Sequence, residues 1–132
     1  MSGDSPVPET VEASGFKIAI AAARFNPELV DALLSRVRSR LVAAGLRERN
    51  LTVVRVPGSN ELPVAARLLI DGKRPDAVVA LGVIIRGGTI HYELIADATT
   101  QGLQAVAIDA RDRKSTRLNS SHEIPSRMPS SA

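Results

Sequence analysis

Leu81-Gly82-Val83-Ile84-Ile85-Arg86-Gly87-Gly88-Thr89-Ile90-His91 is the stretch around which the rest of this chain is ordered. An apolar run, Ala77 to Ile85, halts at Arg86-Gly87-Gly88-Thr89, and His91 follows two residues later. A run rich in Val and Ile and closed by glycines reads as a buried strand delivering a tight loop. Beyond it, Tyr92, Ile95, Thr99, Leu103 and Val106 recur at three- and four-residue spacing, which predicts a helix from Thr89 to about Asp109. Strand end, paired glycines, a hydroxyl and a helix start put unpaired N–H groups and the positive end of a dipole where an anion can sit. Arg86 adds charge, and His91 adds a group that can carry a proton near neutral pH. The pattern is that of a phosphate-handling catalytic corner.

Upstream, the same strand-then-helix order occurs twice more. Phe16 to Ala22 is a short apolar run suited to a strand buried on both faces. Asn26 caps the helix that follows, with Pro27 in its first turn. Leu29, Leu33, Val37 and Leu41 form its apolar stripe, Arg36, Arg38 and Arg40 its solvated face, and Gly45 its end. Leu51 to Val56 is a second, β-branched strand, and Pro57-Gly58-Ser59-Asn60-Glu61 is its exit. Leu62, Ala65, Ala66, Leu69 and Ile70 share one face of a short helix closed by Asp71-Gly72. Crossovers of this length imply a parallel sheet with helices on both faces. In such a sheet the exit loops share one edge, where ligands bind. Arg24-Phe25-Asn26, Gly58-Ser59-Asn60-Glu61 and Arg86-Gly87-Gly88-Thr89 with His91 therefore converge.

Composition limits the classes of function. The 132 residues predict one domain, and the absence of cysteine removes thiol and disulfide chemistry. No apolar stretch reaches the roughly 18 residues of a membrane span, and the N-terminus lacks a signal-peptide pattern. A cytoplasmic protein is expected. The pI of ≈ 9.9 invites a nucleic-acid reading. Yet of 17 basic and 14 acidic residues, five basic (Arg111, Arg113, Lys114, Arg117, Arg127) and two acidic (Asp112, Glu123) lie in residues 111–132. The first 110 residues are thus balanced. With 2% aromatics there is little to stack bases, so no nucleic-acid partner is expected.

Each candidate also has a plain structural reading. Paired glycines end many strands, and these match neither a Walker loop nor a dinucleotide fingerprint. His91 could be an ordinary surface histidine. Phe25 could be a core residue, although its loop position beside Asn26 suits a ring stacked on a planar ligand. Glu61 could serve only the dipole at the start of its helix.

Taken together, Ala23-Arg24-Phe25-Asn26, Val56-Pro57-Gly58-Ser59-Asn60-Glu61-Leu62-Pro63 and Ala80-Leu81-Gly82-Val83-Ile84-Ile85-Arg86-Gly87-Gly88-Thr89-Ile90-His91-Tyr92-Glu93 resemble the lumazine synthase family. The resemblance runs from about Phe16 to Asp109. It implies an α/β fold, a three-layer αβα flavodoxin-like sandwich with a parallel sheet. It also implies a cofactor-free, metal-free condensation of 5-amino-6-ribitylaminouracil with 3,4-dihydroxy-2-butanone 4-phosphate. The product is 6,7-dimethyl-8-ribityllumazine, with release of phosphate and water, in riboflavin biosynthesis. By position, Phe25 stacks on the pyrimidine, and Asn26, Ser59, Asn60 and Glu61 line the site, with Glu61 holding ribityl hydroxyls. Backbone at Val83 and Ile84 meets the heterocycle's polar edge. Arg86, Gly87, Gly88 and Thr89 hold phosphate, and His91 moves protons. Asn60 stands where many relatives carry an aromatic or aliphatic residue. The family's partners are small-molecule substrates and further copies of itself, in pentamers or pentamer-based shells.

After Asp109 the resemblance stops, so the chain is expected to lack the family's last strand and helix. Residues 1–15 read as a flexible arm, 16–110 as the family-like domain, and 111–132 as a non-family tail without a core pattern, suggesting joined foreign sequence.

Overall fold

The computed structural model describes residues 11–86 and 91–114, with side chains as far as Arg111. Three strands, β1 (Ile18–Ala23), β2 (Leu51–Val56) and β3 (Ala77–Leu81), form one parallel sheet in the order β2-β1-β3. Helices α1 (Pro27–Ala43) and α2 (Leu62–Lys73) follow the first two strands, and α3 (His91–Lys114) follows the third. The expected parallel α/β architecture is present.

Alternation along β1 divides the core between two faces. Ile20 and Ala22 pack with Val30, Leu81 and Val83 beneath the α1 stripe of Leu33, Val37 and Leu41. Ala19 and Ala21 face the other way, against Leu62, Ala66, Leu69 and Ile70 of α2 and Ala110 of α3. Alanines in the central strand let both helical layers approach closely. Each buried Leu or Ile contributes about 1.5–3 kcal/mol over exposure. Arg36, Arg38 and Arg40 lie on the exposed face of α1.

Several boundaries differ from the sequence reading. Phe16 lies outside β1, half-exposed in a turn where its N–H donates to Ala13 O at 3.0 Å. β3 stops at Leu81 rather than Ile85, because its pairing with β1 ends at Ala22–Leu81; Val83 is still buried. Asn26 does not cap α1 with its side chain. Its backbone is left-handed (φ 61°), a conformation asparagine tolerates, and its carbonyl accepts from Val30 N at 3.1 Å. Helix α2 runs through Asp71-Gly72 to Lys73 and is closed by left-handed Arg74. Helix α3 continues past Asp109, since Ala110-Arg111-Asp112-Arg113-Lys114 contains no breaker; its expected start at Thr89 lies outside the described residues. Gly45 ends α1 with φ +97°, as expected.

The edge of the sheet opposite the exit loops is tied together. Lys17 N donates to Asp76 Oδ2 at 2.8 Å, Asp76 N to Lys17 O at 2.7 Å, and Lys17 Nζ to Lys73 O at 3.0 Å. Ala13 is buried and its N–H meets Ala44 O at 2.7 Å, so residues 11–15 lie along the end of α1.

Candidate active site

The parallel ladder carries on past the strand ends. Arg24 N donates to Val56 O at 2.6 Å and Phe25 N to Pro57 O at 3.0 Å, so the first two exit loops leave side by side. These bonds hold the backbone of Phe25 while the residue stays 55% exposed, which removes the core reading of that residue. Arg55 braces the same exit from below. Its Nε and Nη2 donate to Ala22 O and Ala23 O at 3.2 and 3.1 Å, and Nη2 meets Asp31 Oδ1 of α1 at 3.0 Å.

The second loop is a single 3-10 turn, Ser59–Glu61, closed reciprocally. Gly58 N donates to Glu61 Oε1 at 2.9 Å, and Glu61 N to Gly58 O at 3.1 Å. One carboxylate oxygen of Glu61 therefore serves the turn. Ser59 is buried, and its hydroxyl has no hydrogen-bond partner among the described residues. It lies against Gly82, where any Cβ would collide with Ser59 Oγ, so glycine is required at the end of β3.

The exits enclose a cavity of about 360 Å³. Phe25 and Pro57 form one side, and Gly58, Ser59, Asn60 and Glu61 line the second loop. Val83, Ile84 and Ile85 come from the third, with His91, Tyr92 and Ile95 from the start of α3. Mostly apolar walls with a few polar groups suit a planar heterocycle. Of the residues singled out from sequence, Phe25, Ser59, Asn60, Glu61, Val83, Ile84 and His91 meet here. Asn26 stands half-buried beside the cavity and Arg86 is exposed beyond it, neither in the wall. Gly87, Gly88 and Thr89 lie outside the described residues. Tyr92 and Ile95, part of the periodicity that predicts the helix, also form wall. Among the described residues no group of three or more His, Asp or Glu is placed to hold a metal ion, and no helix is long and apolar enough to cross a membrane.

The sequence model of the 6,7-dimethyl-8-ribityllumazine synthase family matches residues 15–112, all three loops included. The chain belongs to the lumazine synthase family. Among its relatives is the 6,7-dimethyl-8-ribityllumazine synthase of Kineococcus radiotolerans, 51% identical over 108 residues, which are 82% of this chain and 65% of that protein. Those of Sodalis glossinidius and Clavibacter michiganensis subsp. michiganensis are each 48% identical over 101 residues, 76% of this chain and 65% and 61% of theirs. The chain thus spans about 65% of the length of the first lumazine synthase it matches. The family match ends within α3, at residue 112.

Proposed function

We propose that the cavity binds 5-amino-6-ribitylaminouracil beside 3,4-dihydroxy-2-butanone 4-phosphate and joins them into 6,7-dimethyl-8-ribityllumazine, with release of phosphate and water. The observation that carries this reading is the convergence of Phe25, the Ser59–Glu61 turn and His91 on one cavity. Phe25 offers its exposed ring as a stacking platform for the pyrimidine. Glu61 takes ribityl hydroxyls with the oxygen not engaged by Gly58. The amine attacks the ketone, and the carbinolamine loses water to give an imine. Loss of a carbon-bound proton then expels phosphate, and ring closure releases a second water. His91 moves protons in these steps as general acid and base. Arg86, Gly87, Gly88 and Thr89 hold the phosphate, a role in keeping with backbone N–H groups at a helix start. The reaction is cytoplasmic and needs no cofactor.

The protein works as a homo-oligomer, a pentamer by family likeness. An apolar pair one turn apart on α2, Val64 and Leu68 at 63% and 66% exposure, supports burial against another copy.

In a second reading the chain binds substrate or phosphate, or assembles, without turnover. Incubating the protein with both substrates and following lumazine fluorescence separates the two. Product formation supports the first, and retained substrate without product supports the second. A folded, monomeric protein that neither binds nor converts either substrate overturns both.

A further inference from the structure

Two contacts on one side of α3 fix how that helix lies against the second loop. Thr99 is 2% exposed, and its Oγ1 donates to the carbonyl of Ser59 at 3.2 Å. Gly102, three residues on, passes so near α2 that a Cβ there would stand 2.7 Å from Pro63 Cγ and 2.9 Å from Pro63 Cβ. Ser59 and Pro63 bracket Asn60-Glu61-Leu62, so both contacts grip the turn that carries Glu61. His91 opens the same helix, about 12 Å from Thr99 at the usual rise of ~1.5 Å per residue.

We propose that Thr99 and Gly102 are positioning residues that set the register of α3, and through it the place of His91 across the cavity from Ser59 and Glu61. The two contacts restrain different motions. A directional hydrogen bond fixes the height of the helix along the loop, because sliding the hydroxyl off the carbonyl takes this acceptor from a buried donor; the Ser59 carbonyl itself still accepts from Leu62 N. The glycine notch fixes separation, because a side chain there must push α3 off Pro63. A stiff helix carries either displacement to His91, Tyr92 and Ile95, which form one wall of the cavity. Neither Thr99 nor Gly102 lines that cavity, so both act through other residues. The consequence for binding rests on the ligand reading above; the register itself does not.

The test titrates the full chain with 6,7-dimethyl-8-ribityllumazine by fluorescence and follows the His91 ring resonances by NMR. Thr99→Val keeps the volume and removes the donor, Thr99→Ser keeps the donor, and Gly102→Ala fills the notch. Thr99→Val and Gly102→Ala are expected to weaken lumazine binding about tenfold or more and to move the His91 resonances. Thr99→Ser is expected to stay within about threefold of the parent, with His91 unmoved. Parent-like affinity and unmoved resonances in Thr99→Val and Gly102→Ala overturn the proposal. Should Thr99→Val fail to fold, Gly102→Ala decides by the same two readouts. If the parent binds no lumazine, the ligand reading falls, and the His91 resonances alone judge the register: movement in Thr99→Val reversed in Thr99→Ser supports it, and stillness refutes it.

Discussion

Gly82 lies so close to Ser59 that a Cβ added at 82 would collide with Ser59 Oγ, so a side chain is admitted there only if the end of β3 or the second exit loop shifts. Replacing Gly82 with alanine forces Ser59 or Leu62 aside, since Leu62 Cδ1 also lies 3.0 Å from the added Cβ position. Overpacking of this kind costs about 1–3 kcal/mol. Urea unfolding of Gly82→Ala should show that loss, and adding Ser59→Gly should recover part of it. A Gly82→Ala protein as stable as the parent would show that the loop yields freely.

Phe25→Ala should separate binding from stability. A buried Phe→Ala typically costs about 3–5 kcal/mol, but a ring this exposed should cost under about 1 kcal/mol. Calorimetry should find the melting temperature nearly unchanged while affinity for the pyrimidine substrate falls. Intact affinity would remove the stacking role.

Arg55 and Asp31 should contribute unequally although they form an ion pair. Asp31 is 59% exposed, so Asp31→Asn should cost under about 1 kcal/mol. Arg55→Met also strips donors from Ala22 O and Ala23 O in a part-buried place, with an expected loss of about 1–3 kcal/mol. Equal losses, measured by denaturant titration, would mean that the ion pair and not the brace carries the energy.

His91→Ala should lower turnover by roughly 10²- to 10⁴-fold while changing substrate affinity little. The measurement suits a chimera in which the Kineococcus radiotolerans relative supplies everything after Asp109. An unchanged turnover number would take His91 out of the proton transfers.

The sequence was most informative where pattern and punctuation agreed. β2 was legible to the residue because Leu51 to Val56 is bounded by Asn50 and Pro57. β3 was overextended because apolarity reports burial, whereas a strand ends where its neighbour's pairing ends. That Phe25, the Ser59–Glu61 turn and His91 would meet followed from topology alone. The function of individual contacts did not. Thr99 took its place in an apolar stripe, and nothing local announces an acceptor 40 residues away. Arg55 was read only as part of a strand, although a lone charge among Thr52, Val53, Val54 and Val56 was a signal that it had partners to satisfy.

The mutual hydrogen bonds of Lys17 and Asp76 lie at the far end of the sheet from Phe25 and His91. Part of what holds the strands together thus lies away from the ligand contacts, although Arg55, Gly82 and Val83 add to the fold at the exit end. The exposed residues around the cavity, such as Phe25 and Asn60, can be exchanged, in evolution or in the laboratory, while the far end stays tied. A library confined to the exposed positions 24, 25, 60, 85 and 86 should therefore yield folded members at high frequency, and the scaffold is open to new ligands.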